Sequence, residues 1–285
     1  MPENIYITNP GILEEKKKKI KEGGPEKFQL LTDFDRTLTK EFVKGKKTPS
    51  LISYLRNGRY LSEEYAKEAH SLFEKYRPIE ISEVINEEDK NKAMHEWWKT
   101  HFELLVRSGL NKETINKAVE DILRNEEIEL RKGTYWLLDY LKEKSIPIII
   151  MSASIGDMIE EILRKKGKLY ENVHVIANKL KWGKEEKFLG VEEPIIHSLN
   201  KKEVVIKNYP IYEKIKERKN ILLLGGGTGD LGMAEGIEKD AMINIGFLNE
   251  DLEGNLGLFK EKFDVVITGD SDMTYVNDLM KEVLG

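Results

Sequence analysis

The chain has 285 residues, of which 40% are hydrophobic and 34% charged, and its 46 basic and 51 acidic residues give a formal charge of -5. This length allows one large domain with an insertion, or two domains, and the near-balanced charge gives no reason to expect a nucleic-acid polymer as partner. Disulfides, thiolate metal sites and cysteine nucleophiles are excluded because the sequence has no cysteine. Since no apolar run is long enough for a membrane span and no signal peptide begins the sequence, we expect a cytoplasmic protein without membrane contact. Oligomeric state is left open by the sequence, with a monomer as the default expectation.

The first elements lead to a pair of carboxylates. A helix is predicted over 10–21 and is ended by the glycines and the proline at 23–25. A buried strand is predicted over 28–32. Asp33 and Asp35 follow this strand, and alternation sends both to the same side if the chain stays extended. Two carboxylates at the carboxyl end of a parallel strand suit a nucleophile, a proton shuttle and a divalent cation. The alternative is an acidic turn in which aspartate only caps a helix.

Residues 46–131 have the pattern of a helical insertion. A linker is predicted over 44–49, and beyond it no strand pattern interrupts the chain until about residue 131. Ser62 is predicted to cap a helix that runs to about residue 76, and Asn111 to cap another. Between them, apolar residues recur at helical spacing over 91–107. We therefore predict a helical unit that separates two halves of another domain.

Helices and strands alternate after residue 132. Helices are predicted over 136–144 and 155–166, with a further helix between the strands 221–224 and 241–245. Further strands are predicted over 146–151, 173–177 and 263–268, and a hairpin over 180–191. Alternation of this kind implies a parallel sheet whose ligands bind at the carboxyl ends of the strands. The predicted fold class is α/β, with a Rossmann-like parallel sheet and an inserted α-helical cap domain.

Three later segments carry polar groups at predicted strand ends. Ser152 follows strand 146–151, where a hydroxyl and helix amides would bind phosphate oxygens, although serine is as often a helix cap. Lys201 precedes a helix and could neutralise charge on an aspartate nucleophile and a phosphoryl group. The glycine-rich segment 225–230 does not complete a dinucleotide fingerprint. Its one carboxylate, Asp230, stands at a level from which it could reach a cation.

These residues together carry a family resemblance. Residues 33–39, Ser152, Lys201 and 225–230 resemble the four motifs of the haloacid dehalogenase-like phosphohydrolases. More closely, the chain resembles the cytosolic 5'-nucleotidase III (pyrimidine 5'-nucleotidase) family in the segments 44–46, 94–98, 145–147, 155–157, 230–234 and 245–249. The resemblance extends from about residue 20 to the C-terminus. It implies a catalytic core over 1–45 and 132–285 and a helical cap domain over 46–131.

The resemblance implies a phosphoric monoester hydrolase that releases phosphate from nucleoside 5'-monophosphates with Mg²⁺ as cofactor. Asp33 would attack phosphorus and form an aspartyl-phosphate, while Asp35 would act as acid and then as base. Ser152 and Ala153 would hold the phosphate, and Lys201 would serve both phosphate binding and catalysis. The metal ligands would be the Asp33 carboxylate and the Asp35 carbonyl, with Asp230 as a further candidate.

The cap would bind the base of the nucleotide and exclude water from the site. Glu96 stands at the position that resembles the family's base-recognising glutamate, and a carboxylate suits the amino and ring N–H groups of a base. Trp98 and His101 would provide a stacking face. The alternative is that Met94, one tryptophan and Leu105 only pack the core of the cap. Whether the base is a pyrimidine, a purine or a methylated guanine stays open.

One position departs from the family pattern. The fourth motif normally has a metal-binding aspartate directly after the glycine that ends the strand, and Gly226 stands there instead. We expect weaker Mg²⁺ binding, with Asp230 or another water as the substitute ligand. Three alternatives follow: an active nucleotidase, a nucleotide-binding pseudo-phosphatase with little turnover, or an introduced change. A small-metabolite phosphatase, such as one for phosphoserine, is a further alternative that the Glu96 segment disfavours.

Overall fold

The computed structural model describes residues 3–58, 60–82, 84–203 and 206–285. Within these ranges the strands are β1 Ile5–Ile7, β2 Phe28–Thr32, β3 Phe42–Val43, β4 Lys46–Lys47, β5 Ile148–Ile155, β6 Val173–Asn178, β7 Leu180–Trp182, β8 Phe188–Val191, β9 Asn220–Gly225, β10 Ala241–Leu248 and β11 Val265–Thr268. The helices are α1 Pro10–Gly23, α2 Leu51–Asn57, α3 Glu63–Ile81, α4 Glu87–Arg107, α5 Lys112–Arg124, α6 Thr134–Glu143, α7 Gly156–Lys165, α8 Tyr212–Ile215, α9 Leu252–Lys262 and α10 Thr274–Leu284.

A seven-stranded sheet in the order β1-β11-β10-β9-β2-β5-β6 forms the centre of the molecule. All its neighbouring strands are parallel except the edge strand β1, which pairs with β11 in the antiparallel direction. Both faces of β2 are buried, with Leu30 and Leu31 each at most 1% exposed. A continuous apolar strand of this kind is typical of a parallel sheet covered on both faces. The predicted α/β class with a parallel core is confirmed.

The helices α2 to α5 lie between β4 and α6 in the chain and form the inserted helical unit. Both predicted caps are present: the Ser62 hydroxyl accepts a hydrogen bond from the Tyr65 amide, and the Asn111 side chain accepts one from the Thr114 amide. Helix α3 continues past the predicted end at residue 76 to Ile81, although Pro78 lies inside it. The boundaries 45/46 and 131/132 of the cap domain stay a prediction.

Two local predictions were wrong. The segment 44–49, predicted as a linker, contributes β4 to a small antiparallel hairpin with β3. The α-helix predicted between β9 and β10 is replaced, among the described residues, by a 3₁₀ helix over Thr228–Ala234. The predicted hairpin over 180–191 is present as β7 and β8. Among the described residues, none of the helices combines the length and apolar character needed to cross a bilayer.

Candidate active site

The polar residues predicted at the strand ends meet at one edge of the sheet. Strands β2, β5 and β9 are neighbours, so the residues that follow them converge at their carboxyl ends. A cavity of about 510 Å³ opens there. The predicted catalytic, phosphate-binding and metal-binding side chains all line it: Asp33, Asp35, Ser152, Ala153, Lys201 and Asp230.

Lys201 connects the two walls of this cavity. Its ammonium lies 2.6 Å from Asp33 Oδ1 and 2.7 Å from Asp230 Oδ1, and the residue is only 4% exposed. Burial by itself lowers the pKa of Lys201, but the charges of Asp230 and Asp33 more than offset this effect and raise it. The lysine is therefore cationic at every physiological pH, and it holds positive charge directly beside the Asp33 carboxylate.

The environment of Asp33 combines opposing influences. Burial raises the pKa of Asp33 to about 6, with a further upward contribution from Asp230, while Lys201 and the Phe34 amide act in the opposite direction. The second carboxylate oxygen of Asp33 accepts a hydrogen bond of 3.2 Å from the Thr37 hydroxyl. Asp33 is thus oriented by Lys201 on one oxygen and by Thr37 on the other, so the direction of its carboxylate is fixed.

Asp35 has the protonation behaviour of an acid–base group. Burial and the neighbouring charge of Asp33 raise the pKa of Asp35 to about 7, although Arg36 and Lys201 oppose the rise. A carboxyl group with such a pKa can hold a proton at neutral pH and can also release it. Strand β2 ends at Thr32, so the loop after the strand, rather than strand alternation, brings Asp33 and Asp35 to the same cavity.

Ser152 and Ala153, predicted to follow a strand over 146–151 and to bind phosphate, lie within the longer strand β5 and line the same cavity. Ser152 is 1% exposed, and its hydroxyl accepts a hydrogen bond of 3.1 Å from the Ser154 amide. Helix α7 begins at Gly156, shortly after Ser152 and Ala153. Hydroxyl and amide groups that precede a helix N-terminus can bind the oxygens of an anion.

Both carboxylate oxygens of Asp230 have hydrogen-bond donors from the protein. One carboxylate oxygen contacts Lys201, and the other accepts hydrogen bonds from the amides of Gly226 at 2.8 Å and Gly227 at 3.0 Å. These contacts fix the glycine-rich turn and the lysine together. Metal ligation by Asp230 stays a prediction. The observed ion pair of Asp230 with Lys201 helps to hold the lysine in place.

The three residues predicted to bind the base are not on the wall of this cavity. The Glu96 side chain is 62% exposed and accepts a 2.6 Å hydrogen bond from the Tyr76 hydroxyl. Trp98 packs against Phe102 with ring centroids 5.5 Å apart. His101 is 3% exposed and pairs with the Tyr65 hydroxyl at 3.0 Å, and burial lowers its pKa to about 4. Their assignment to base binding stays a prediction, and His101 could contact a base only after rearrangement.

A different carboxylate of the helical insertion contacts a residue that lines the cavity. Glu80 Oε1 accepts a 2.7 Å hydrogen bond from the hydroxyl of Ser198, which lines the cavity three residues before Lys201. Lys202 also pairs with Glu87 at the start of α4. The C-terminal end of α3 and the first residue of α4 therefore contact the segment that carries Lys201. Sequence reasoning missed Glu80 because its partner lies 118 positions away.

The sheet topology, the aspartate pair after the central strand, the opposed buried lysine and the inserted helices define a phosphohydrolase of the haloacid dehalogenase-like class. A sequence model described as "Pyrimidine 5'-nucleotidase (UMPH-1)" matches residues 36–284. The chain therefore belongs to the pyrimidine 5'-nucleotidase family, as its resemblance predicted.

Similar proteins agree with this assignment. The chain is 32% identical over 282 residues to 7-methylguanosine phosphate-specific 5'-nucleotidase A of Xenopus laevis, with 99% of this chain and 96% of the relative covered. It is 31% identical over 285 residues to 7-methylguanosine phosphate-specific 5'-nucleotidase of Homo sapiens, with 100% and 94% covered.

Among solved structures, cytosolic 5'-nucleotidase IIIB bound to cytidine superposes with a TM-score of 0.91 at 27% identity, covering 99% of this chain and 94% of that one. A phospho-aspartyl intermediate analogue of phosphoserine phosphatase shares the fold, with a TM-score of 0.51 at 20% identity over 88% of this chain and 97% of that one. The predicted enzyme class, a phosphoric monoester hydrolase, is confirmed.

Proposed function

We propose that this protein hydrolyses nucleoside 5'-monophosphates to nucleoside and phosphate, with Mg²⁺ and through a phosphorylated Asp33. The observation that carries the proposal is the contact of 2.6 Å between Lys201 and Asp33, with Asp35 on the same cavity. A phosphate monoester carries about two negative charges near neutral pH, so a carboxylate can approach it only where positive charge compensates. Lys201 supplies part of that compensation.

In the proposed mechanism Asp33 attacks phosphorus while Asp35, protonated, gives its proton to the departing nucleoside oxygen. Ser152 and Ala153 hold the phosphate oxygens that do not react, and Lys201 stabilises the charge that develops on them. Asp35 then takes a proton from the water that hydrolyses the aspartyl-phosphate. The pKa of about 7 for Asp35 supports this double role, because proton gain and loss both cost little near neutral pH.

The donors on the cavity are compatible with Mg²⁺, which prefers hard oxygen ligands and commonly keeps several waters. The Asp33 carboxylate and the Asp35 carbonyl would hold the ion. The Asp35 carbonyl faces Gly226, because a Cβ built at Gly226 would lie 3.9 Å from the Asp35 carbonyl oxygen. When bound, Mg²⁺ supplies a Lewis acid that neutralises phosphate charge. Among the described residues no group of three or more acidic or histidine side chains is placed to bind one metal ion, which fits a site with few protein ligands.

The cap, proposed to span 46–131, would cover the nucleoside and exclude water. Glu80 is our proposed contact to the base, because its carboxylate stands beside Ser198 at the cavity and could accept hydrogen bonds from base N–H groups. Glu96, Trp98 and His101 would need movement of the cap to take part. The names of the relatives include methylated guanosine phosphates, and the solved structure holds cytidine, so both kinds of base belong in the substrate panel.

A second candidate function is nucleotide binding with little turnover. It is favoured by Gly226, which leaves the metal site without the carboxylate that usually follows the strand. Fewer protein ligands weaken Mg²⁺ binding, and the charge of the phosphate would then be less well compensated.

The test is phosphate release from CMP, UMP, GMP and 7-methyl-GMP over a range of Mg²⁺ concentrations, with Asp33→Asn as the inactive control. We expect Mg²⁺-dependent release that the control lacks. Calorimetry with the same nucleotides separates the two candidates. Tight binding without release would favour the second function, and neither binding nor release would contradict both.

A further inference from the structure

A single arginine stands where the chain returns from the helical insertion to the core. Arg131 lies between α5 and α6, and it is 1% exposed although it carries a full charge. Its guanidinium lies over the ring of Phe247 on strand β10, 4.5 Å from the ring centroid. Burial of a charged group is costly unless its donors are satisfied, so the contacts of this side chain indicate what the charge is used for.

The contacts are directed at the loop that follows Asp35. Arg131 Nε donates to the Thr37 carbonyl at 2.8 Å, and Nη2 donates to the Arg36 carbonyl at 2.6 Å. Nη2 also donates to Asn249 Oδ1 at 2.8 Å, and the Asn249 amide donates to the same Arg36 carbonyl at 3.0 Å. Arg36 has a φ of 62°, which an L-residue rarely adopts without support. The guanidinium and Asn249 supply that support.

A second set of contacts connects Arg131, through Asp270, to the backbone of Glu41 and Phe42. Arg131 Nη1 lies 2.9 Å from Asp270 Oδ1, and the two carboxylate oxygens of Asp270 accept the amides of Glu41 at 2.8 Å and Phe42 at 2.9 Å. Nη1 also donates to the Ser271 carbonyl at 2.7 Å. Residues 36–42 are thus held along their length by one cluster.

The same cluster joins the two chain segments that lead into and out of the insertion. The Arg131 amide donates to the Leu38 carbonyl at 2.9 Å, and the Lys40 amide donates to the Glu129 carbonyl at 2.9 Å. Movement of the helical unit would therefore be transmitted to the backbone beside Asp35.

We infer that Arg131, with Asn249 and Asp270, is a positioning residue that holds backbone 36–42 so that Asp35 and the Thr37–Asp33 contact keep their reactive geometry. This inference rests on the proposed function for its kinetic consequence only. Arg131 touches no reacting atom. It acts through the carbonyls of Arg36 and Thr37, which follow Asp35 directly.

A matched control exists at the other end of the same strand. Arg218 donates from Nη1 to the carbonyls of Pro25 at 2.7 Å and Phe28 at 2.9 Å, at the amino end of β2 and away from the cavity. Arg131→Met and Arg218→Met each remove a guanidinium from backbone carbonyls near one end of β2. A general loss of stability is common to both, but only the first releases the loop after Asp35.

The experiment compares steady-state kinetics with amide hydrogen exchange of 36–42 in both variants, well below their unfolding temperatures. For Arg131→Met we expect kcat to fall about a hundredfold with KM changed less than about threefold, because a displacement near 1 Å at the reacting groups has that effect. Exchange of 36–42 should accelerate. Arg218→Met should leave kcat within about threefold and exchange of 36–42 unchanged. Arg131→Lys, which keeps the charge without the fork of donors, should be intermediate.

Equal losses of kcat in the two methionine variants, or unchanged exchange of 36–42 in Arg131→Met, would overturn the inference. If Arg131→Met does not fold, Arg131→Lys and Asn249→Ala apply the same two readouts. If the wild type shows no phosphatase activity but residues 36–42 exchange faster in Arg131→Met than in the wild type, the hold of Arg131 on this backbone is supported and the proposed function is contradicted.

Discussion

Replacement of Gly226 by aspartate would put a carboxylate opposite the proposed metal-binding carbonyl. A Cβ at this position would lie 3.9 Å from the Asp35 carbonyl oxygen, so the carboxylate beyond it would face the same space as Asp33. The Cβ would also lie 3.0 Å from Thr37 Oγ1, so that hydroxyl must shift by a few tenths of an ångström. This crowding reduces the gain without blocking the substitution.

The expected gain in Mg²⁺ affinity is tenfold to a hundredfold. Two unit charges 4 Å apart attract by about 4 kcal/mol at an effective dielectric constant near 20, and the cation is divalent. Loss of hydration, repulsion from Asp33 and the shift of Thr37 offset most of this attraction. We expect about 1.5 to 3 kcal/mol to be left, which corresponds to the stated range of affinity.

The assay is thermal unfolding at increasing Mg²⁺ concentration, together with direct titration by calorimetry. At saturating Mg²⁺ the variant should gain about 1.5 to 3 kcal/mol more stabilisation than the wild type, or about 5 °C in Tm. Gly227→Asp is the control, because it adds the same charge one residue later, where a Cβ meets no atom of the described residues within 4 Å. Equal Mg²⁺ dependence in the two variants would refute the reasoning about Gly226.

The remaining predictions concern side chains around the same cavity. Lys201→Met should lower kcat by about 10² to 10³ in initial-rate assays, because charge on the phosphate loses its compensation, and unchanged kcat would contradict that role. Because the pKa of Asp35 is raised to about 7, stability is lost as pH rises from about 4 through 7. Asp35→Asn should therefore raise the free energy of unfolding, measured in urea, by about 2 kcal/mol at pH 7.5, with no gain below about pH 4. This value is half of the free energy that corresponds to the full pKa shift of Asp35, because solvent reaches the site in part. Glu80→Gln should raise KM for nucleotides but not for p-nitrophenyl phosphate, and an equal rise for both would remove Glu80 from base binding.

The strands and the main helices could be predicted because their determinants are local. The apolar run of β2 is buried on both sides, and the predicted caps Ser62 and Asn111 each accept the hydrogen bond that starts a helix. The hairpin β3–β4 was missed because each of its strands has only two residues. Strand β1 likewise has three residues, and its pairing partner β11 lies at the other end of the chain.

Some residues of the site could be predicted from local sequence patterns, and others could not. Asp33, Asp35, Ser152 and Lys201 each follow or precede a recognisable element, so the parallel sheet predicts that they meet. Glu80 and Arg131 have no such local pattern, since their importance comes from contacts with Ser198 and with Arg36, far away in sequence. Periodicity over 91–107 identified the buried face of α4 correctly through Met94 and Leu105, but it could not tell which end of the helical insertion approaches the segment that carries Lys201.

Chemical trapping of a phosphorylated Asp33 would test the proposed mechanism at its first covalent step. The protein is mixed with Mg²⁺ and an accepted nucleotide, quenched in acid within the first turnover, reduced with borohydride and digested for mass spectrometry. An aspartyl-phosphate at Asp33 is reduced to homoserine, so homoserine is expected at position 33 in the wild type with nucleotide and none without it. Phosphate release with no modification at Asp33, or turnover that persists in Asp33→Asn, would contradict the role of Asp33 as nucleophile.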